Sequence, residues 1–366
     1  MKKLTQYRLF AGFMAASLLL TGCGGGSDPG SEAEVETSDG LVIEGETLAD
    51  AELFEAAKDE GSVIFYTGGS EQSEAQVTEA FTADTGISVE TIRLAPNRLS
   101  ERILSEQGAG KLGADVIRIS GEDLTLAVAE SGAFSPFEVP SEYQLTDDAT
   151  YEDGLYYRSF DRVYSFAYNN QLVSPEDAPE NWSDLLDPKW KGKLGIVQVG
   201  AGGSTSALTR FQLDTLGEEY LEGYAAQEPR IFDSVAAQTD ALARGEISIA
   251  TVPIATGYSS QEAGAPITLA TPEEGMAGYA FYVGRTTSAP HPAAAEVFAK
   301  WLLSKRALAV SAAQGDYPAR TDLESPTAGD LELPEADAIY RSTMEESIQN
   351  LEPDAEIWKT VFGYTG

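Results

Sequence analysis

Cysteine, histidine and positive charge are all scarce in this sequence. Its 366 residues contain one cysteine, Cys23, and one histidine, His291. A single cysteine cannot form an internal disulfide, and these two residues cannot supply the usual ligand set of a zinc site. His291 stands between two prolines in "SAPHPAAAEVFAKWLL", at a predicted helix start, which favours a solvated or capping role over catalysis.

The charge of the chain is strongly one-sided. Lys and Arg total 24, Asp and Glu total 59, and the formal net charge is −35. A chain this acidic repels nucleic acid and anionic lipid, so no nucleic-acid partner is expected. Carboxylates are so abundant that they single out no catalytic pair, and most are expected on a solvated surface. A transferase that uses carboxylates stays open as one alternative function.

The N-terminal segment has the composition of an export signal. Basic residues at positions 2, 3 and 8 precede the uncharged stretch 9–20, which is too short to span a bilayer comfortably. The following "LTGC" resembles the lipobox of bacterial lipoproteins, which implies cleavage before Cys23 and lipidation of its sulfur. We therefore expect an extracytoplasmic protein anchored to the bacterial cell membrane. The acidic stretch 23–47 is expected to be a disordered tether.

Strands alternate with helices along the remainder of the chain. The runs "SVIFY", "ISVETI" and "ADVIRI" predict strands within 62–119, each followed by a helical pattern. A second set begins at "LGIVQV" and continues through "PRIF" and "ISIATV", beyond an extended segment at 161–170. This alternation favours α/β architecture with largely parallel sheets. Ligands of such sheets lie beyond the carboxyl ends of the strands.

The loop "QVGAGGSTSALTR", residues 198–210, follows one of these strands and opens a predicted helix. A dinucleotide fingerprint would need a third glycine at Thr205, and no Gly-Lys-Ser/Thr of a P-loop is present, so no cofactor is predicted. Free backbone amides beside Ser204, Thr205 and Ser206 favour a bound anion. The alternative is ordinary helix capping by one of these hydroxyls.

The segment "NWSDLLDPKWKGKLGI", residues 181–196, resembles solute-binding proteins of bacterial ABC importers, of the ferric-iron, thiamine and phosphonate type. The stretches "AFTADTGISVE", "ALARGEISIA", "SAPHPAAAEVFAKWLLSKRA" and "GDYPAR" resemble the same family, in the expected order. The resemblance implies a type 2 periplasmic-binding-protein fold: two α/β lobes joined by two crossing strands, with the ligand between them. It also implies a monomeric receptor that works with permease subunits and catalyses no reaction.

Ferric binders of this family typically use a histidine in the first loop, an acid in the third-strand loop and two adjacent tyrosines later. In this sequence Ser70, Ser120, Ala255 and Thr256 stand at those positions, with Tyr258 nearby. Serine is a poor donor for Fe(III), so no metal ligand is assigned. We expect a small organic anion, such as a phosphonate, sugar phosphate or carboxylate, and keep ferric iron as the alternative cargo.

The predicted ligand-binding residues come from the strand-end loops of both lobes, together with tyrosines that could shape the cleft. They are Thr67, Gly69, Ser70, Arg98, Ser120, Tyr164, Gly202, Gly203, Ser204, Thr205, Ser206, Thr256, Tyr258 and Tyr282. The predicted organisation is a signal peptide over 1–22, a tether over 23–47, lobe 1 over 48–165 and 276–330, and lobe 2 over 166–275 and 331–366.

Overall fold

The structure is a computed structural model that describes residues 33–365. The predicted signal peptide and the predicted lipidation site, Cys23, lie outside the described residues. The described chain begins with a small antiparallel sheet of three strands, whose order follows the sequence. Its strands are β1 (Val35–Glu36), β2 (Gly40–Ile43) and β3 (Glu46–Asp50).

This sheet corrects the prediction of a disordered tether over 23–47, which is wrong from residue 35 onward. Leu41, Ile43 and Leu48 are each at most 1% exposed and belong to the core of lobe 1. They share that core with residues of α1 (Ala51–Glu60) and α9 (Pro292–Trp301). The many acids of this stretch had suggested disorder, but alternate apolar residues are sufficient to bury one face of a small sheet.

One mixed sheet runs through both lobes. Its strands on the lobe 1 side are β4 (Ser62–Thr67), β5 (Ser88–Arg93) and β6 (Val116–Ser120). Those on the lobe 2 side are β10 (Leu194–Val197), β11 (Arg230–Phe232) and β12 (Ile249–Pro253). Between them lie β9 (Tyr156–Asn169) and β14 (Ala277–Thr286). The strand order is β11-β10-β12-β9-β14-β6-β4-β5.

The two central strands join the lobes. β9 and β14 are antiparallel to each other, β9 also pairs with β12, and β14 also pairs with β6. Within each lobe the other three strands are parallel. The predicted architecture of two α/β lobes joined by two crossing strands is therefore confirmed. Four short strands add to the centre: β7 (Phe134–Ser135), β8 (Thr150–Tyr151), β13 (Ile267–Leu269) and β15 (Tyr317–Pro318).

Helices cover the sheet in both lobes. Lobe 1 carries α2 (Glu71–Thr85), α3 (Pro96–Gly108) and α4 (Glu122–Glu130) in addition to α1 and α9. Lobe 2 carries α5 (Gly203–Phe211), α6 (Glu218–Ala226), α7 (Val235–Ala243) and α8 (Ile254–Glu262). The chain ends with α10 (Lys305–Ala312) and α11 (Met344–Phe362). Within residues 33–365, no helix combines the length and apolarity needed to cross a bilayer.

Each lobe has its own aromatic core. In lobe 1 the ring of Phe298 lies 5.1 Å from that of Phe65 and 4.7 Å from that of Phe81. In lobe 2 the indole of Trp182, from the segment 181–196, lies 5.2 Å from the ring of Phe166 and 5.8 Å from that of Phe211. Separate cores allow the lobes to move as two rigid bodies about the crossing strands.

The small N-terminal sheet can be tested by truncating one core side chain. We expect Leu41→Ala to lower the free energy of unfolding by about 2–5 kcal/mol, the range for deleting a buried leucine side chain. The matched control is Thr47→Ala, at an exposed position of β3, which should change stability little. Chemical denaturation of the two variants measures both effects. Equal stability of Leu41→Ala and the parent protein would mean that this stretch is a tether after all.

Candidate functional site

A cavity of about 230 Å³ lies between the lobes. Residues at or just after the ends of β4, β5 and β6 line it from lobe 1, and residues at or just after the ends of β10, β11 and β12 line it from lobe 2. The crossing strands contribute Arg162, Tyr279 and Phe281. The remaining lining residues are Gly68, Ser70, Glu71, Arg93, Ala95, Pro96, Ser120, Ala201, Ser204, Thr205, Asp233, Ser234, Val235, Ala236, Pro253 and Thr256. We call this cavity the front cleft.

Five helices begin at the front cleft, because each helix follows a strand that ends there. The N-caps of α2, α3, α7 and α8 belong to its lining, and α5 contributes two residues of its first turn, Ser204 and Thr205. The first turn of a helix has unpaired N–H groups and carries the positive end of the helix dipole, equivalent to about half an elementary charge. Converging helix starts therefore favour a negatively charged occupant.

A stack of alternating rings and guanidinium groups lies under the front cleft. Arg118 is 5.4 Å from the ring centre of Phe65 and 5.3 Å from that of Phe160. Arg162 is 5.5 Å from the ring of Phe160 and 5.2 Å from that of Phe281. The three rings and two guanidinium groups alternate with Phe160 at the centre, so each arginine is held between two aromatic faces. This stack fixes Arg162 in one orientation.

Buried carboxylates balance both arginines of the stack. Arg162 Nε and Nη2 donate to the two carboxylate oxygens of Asp316 at 2.7 and 2.6 Å. Arg118 forms an ion pair with Glu74, and both side chains are 2% exposed. Burial alone lowers the pKa of Arg162, but the ion pair with Asp316 more than offsets this, and the pKa lies above its usual value. Arg162 therefore keeps its charge in a nearly dry environment.

Donors at the front cleft lack partners within the described chain. The hydroxyl of Ser120 makes no hydrogen bond within residues 33–365, although its side chain is buried. Arg162 donates through Nε and Nη2 only, which leaves Nη1 available. Tyr164 lies behind Tyr279, with ring centres 6.1 Å apart. Buried polar groups without partners are rare in native proteins, and here they surround a cavity, which indicates a bound ligand.

The two tyrosines act as neutral donors. Burial raises the pKa of Tyr164 well above its ordinary value of 10.0, and burial also raises the pKa of Tyr279. Both phenols therefore keep their protons at neutral pH, and Tyr279, which lines the front cleft, can donate to an anion. The carboxylates that line the front cleft, Glu71 and Asp233, are exposed side chains. The buried part of the site is accordingly rich in donors.

Comparison with known proteins agrees with this geometry. The family described as bacterial extracellular solute-binding protein matches residues 76–333. The chain belongs to this family. Members of this family are solute-binding proteins rather than enzymes, and they work outside the cytoplasm. The predicted family, the predicted lack of enzymatic activity and the predicted extracytoplasmic location are therefore confirmed for the family.

Two relatives of this solute-binding protein carry different names. Iron uptake protein A1 of Synechocystis is 29% identical over 210 residues, which cover 55% of this chain and 56% of the relative. A putative 2-aminoethylphosphonate-binding periplasmic protein of Salmonella typhimurium is 26% identical over 256 residues, 67% of this chain and 73% of the relative. The chain thus spans just over half the length of the first relative.

Solved structures show the same fold at low identity. Iron-bound HitA from Pseudomonas aeruginosa aligns with a TM-score of 0.64 and 20% identity, covering 82% of this chain and 99% of that one. AfuA from Actinobacillus pleuropneumoniae, with fructose-6-phosphate bound, aligns with a TM-score of 0.69 and 19% identity, covering 84% and 100%. The type 2 periplasmic-binding-protein fold is therefore confirmed.

The structure brings five of the predicted residues together in the lining of the front cleft: Ser70, Ser120, Ser204, Thr205 and Thr256. Two of them have structural partners. Ser70 caps α2 by accepting from Ser73 N, and Thr205 Oγ1 lies 2.7 Å from Val199 O and 2.8 Å from Gly202 O. The Thr205 hydroxyl donates to these carbonyls and accepts from no N–H, and α5 has no side-chain cap in the described chain, so the capping alternative does not describe this helix. Ser120 and Ser204 remain candidates for ligand contact.

The other nine predicted residues, among them Gly69 and Tyr164, do not line the front cleft. Thr67 is buried below the lining, where its hydroxyl donates to Glu74 and accepts from Gly69 N, and so it shapes the loop after β4. Arg98 is exposed and pairs with Glu101 at 2.8 Å. Two predicted tyrosines, Tyr258 and Tyr282, also lie away from the front cleft.

These tyrosines contact other parts of the protein. Tyr258 packs against Gly329, and Tyr282 reaches a second cavity, where its hydroxyl lies 3.4 Å from a carboxylate oxygen of Glu122. This second cavity, of about 410 Å³, lies behind the crossing strands, and we call it the rear cavity. Alternation along β14 explains the difference, since Phe281 lines the front cleft and Tyr282 lines the rear cavity.

Two glycines of "GAGG" lie where lobe 2 contacts lobe 1. A Cβ atom on Gly203 would lie 2.3 Å from Gly121 Cα of lobe 1, and one on Gly202 would meet Pro96 at 3.6 Å. Only a residue without a side chain lets the two backbones come this close. Ser206, farther along α5, lines cavities at the rear of the lobes. Gly202, Gly203 and Ser206 therefore do not line the front cleft.

Sequence analysis missed the residues that fix the chemistry of the front cleft, chiefly Arg162, Tyr279, Arg93 and Asp316. Arg93 lies at the cleft, and its Nε donates to Gly69 O at 2.9 Å. A signal for Arg162 was present in "DRVYSFAYNN", because a charged residue inside a long buried strand needs a partner or a function. Its partner Asp316 is 154 residues away, so the pairing could not be read from spacing.

The contact between Gly203 and Gly121 leads to a direct test of closure. We expect Gly203→Val to hold the lobes apart, because its side chain would meet the backbone of the opposite lobe. Small-angle X-ray scattering should give a larger radius of gyration for this variant, with an unchanged melting temperature. The matched control is Gly200→Ala, whose Cβ meets only the flexible side chain of Gln198. An unchanged radius of gyration for Gly203→Val would contradict the assignment.

Proposed function

We propose that this solute-binding protein is the receptor of an ABC importer and captures a small anionic solute by closure of its two lobes. A phosphonate, a sugar phosphate or a carboxylate fits the donors of the front cleft. The receptor passes the solute to permease subunits, and a lipid on Cys23 holds it at the cell membrane. It acts as a monomer and needs no cofactor. The lipobox-like "LTGC" supports the anchor.

The observation that carries this proposal is the set of buried donors without partners at the front cleft. Ser120 Oγ and Arg162 Nη1 would each lose hydrogen bonds to water on lobe closure. An anion placed at the converging helix starts supplies acceptors for both of them. Both lobes contribute to the site, Ser120 from lobe 1 and Ser204 from lobe 2, so binding favours the closed form.

Ferric iron is the second candidate cargo, because one relative is named as an iron uptake protein. The donor chemistry of the front cleft favours it less. Hard Fe(III) prefers anionic oxygen donors, whereas the buried lining offers hydroxyls and neutral phenols. Within residues 33–365, no group of three or more acidic, cysteine or histidine side chains is arranged to hold a metal ion. The adjacent Tyr156 and Tyr157 pack into the core, with the hydroxyl of Tyr157 donating to Phe137 O.

Two serines of α5 provide a matched test of the anion site. Ser204 lines the front cleft and Ser206 opens toward the rear. We expect Ser120→Ala and Ser204→Ala each to weaken solute binding by about 1.5–3 kcal/mol, the range for hydrogen bonds to charged groups. Ser206→Ala should bind like the parent protein. Isothermal titration with 2-aminoethylphosphonate, fructose 6-phosphate and ferric citrate measures these affinities.

Two results of this titration would contradict the proposal. Equal affinities of the Ser204→Ala, Ser206→Ala and parent proteins would show that α5 only begins a helix at the cleft. Tight binding of ferric citrate, with a visible tyrosinate-to-iron absorption band and no response to the two phosphorus compounds, would assign ferric iron as the cargo.

A further inference from the structure

Glu122 lies at the place where the two lobes meet. It follows Gly121, whose backbone contacts Gly203 of lobe 2, and it is the first residue of α4. Its part-buried side chain lines the rear cavity together with Ala207 of lobe 2 and residues of the segment 340–347. Because lobe 1 contributes Glu122 and lobe 2 the facing wall, separating the lobes would return this carboxyl group to water.

Glu122 forms no ion pair within the described chain. Its one side-chain hydrogen-bond partner there is the hydroxyl of Tyr282 at 3.4 Å, which is long for an O–H···O hydrogen bond. Arg158 already pairs with Asp148 and Asp161, at 2.5 and 2.6 Å. Arg341 pairs with Asp161 at 2.9 Å.

The third nearby arginine is also occupied. Arg210 of α5 pairs with Asp354 of α11 at 3.0 Å. The other charged groups around Glu122 are acidic: Asp123 follows it on α4, and Glu345 lines the rear cavity from α11. Closing the lobes thus buries a carboxyl group beside other acids, while each nearby arginine of the described chain is paired with a different carboxylate.

From this geometry we infer that closure of the lobes is coupled to the uptake of one proton by Glu122. A protonated carboxyl group has no charge and can donate a hydrogen bond, so burial in the rear cavity costs it less free energy than it costs a carboxylate. The inference rests on the proposed function in one respect, namely that the receptor works by lobe closure.

The sign of the pH dependence follows from the two states. In the closed structure burial, assisted by the neighbouring Asp123 and Asp161, raises the pKa of Glu122 from 4.5 to about 7. In the open form the side chain returns to water and its pKa returns toward the ordinary value. Between these pH values the closed form binds more protons than the open form, so closure weakens as pH rises through this range. Above about pH 7 both forms are deprotonated and the dependence levels off.

The expected effect is a fall in the ratio of closed to open protein by up to about tenfold for each pH unit between pH 5 and 7. The ratio can be measured without knowledge of the solute. Spin labels on Glu79→Cys in α2 and Asp240→Cys in α7, both exposed positions, report the distance between the lobes. Cys23→Ala removes the one native thiol. Pulsed electron paramagnetic resonance then gives the closed population from pH 5 to pH 8.

We expect the closed population of the labelled protein to grow as pH falls. Glu122→Gln, which mimics the protonated carboxyl group, should stay closed and lose the pH response. Glu130→Gln, an exposed acid at the end of the same helix, should keep it. No pH response in the parent protein, or the same response in Glu122→Gln, would overturn the inference.

A second measurement separates this inference from the proposed function. Titration calorimetry with 2-aminoethylphosphonate at pH 6.5, in buffers of different ionisation enthalpy, measures proton uptake on binding. Uptake that is lost in Glu122→Gln supports the coupling, and solute binding without proton uptake contradicts it. If this probe does not bind, the proposed solute class is in doubt, whereas the distance measurement still decides whether closure is proton-linked.

Discussion

The two lobes contact each other through the main-chain atoms of Gly121 and Gly203, and the arrangement of both cavities depends on that contact. In front of it, the strand-end loops enclose a small space lined by hydroxyls and arginines. Behind it, Glu122 is carried into the rear cavity. A side chain at position 203 would hold the backbones apart and leave the front cleft open to water. The closed site therefore depends on two residues that contribute no functional group.

A chain with a net charge of −35 needs a local reason to bind an anion. Most of its acids lie on the surface, where water and salt screen them over about 10 Å. The front cleft, in contrast, favours negative charge, because the N-termini of several helices converge on it and Arg162 stays charged beneath it. Asp316 neutralises part of that charge but occupies only two of the three guanidinium nitrogens. The third nitrogen, Nη1, keeps its ability to donate.

Local patterns were sufficient to predict the two α/β sets and the crossing segment, because strand and helix periodicities are short-range features. They also located Ser120 and Ser204 at the cleft, since strand ends of parallel sheets meet at one edge. The role of Gly203 could not be predicted, because its contact with Gly121 spans 82 residues of chain and two lobes. The same holds for the Arg162–Asp316 pair. The N-terminal sheet was not predicted, because the many acids of this stretch suggested disorder. The alternation of its apolar residues, which indicates strands, was overlooked.

The central claim is that the front cleft holds a small organic anion. Native mass spectrometry of freshly purified protein tests it most directly, because a receptor with a closed cleft retains its solute through gentle purification. The account predicts a mass excess that matches one small phosphorus- or carboxylate-containing compound, and this excess should disappear on denaturation and shrink in the Ser120→Ala protein. A mass excess of a single ferric ion, unaffected by Ser120→Ala, would contradict it.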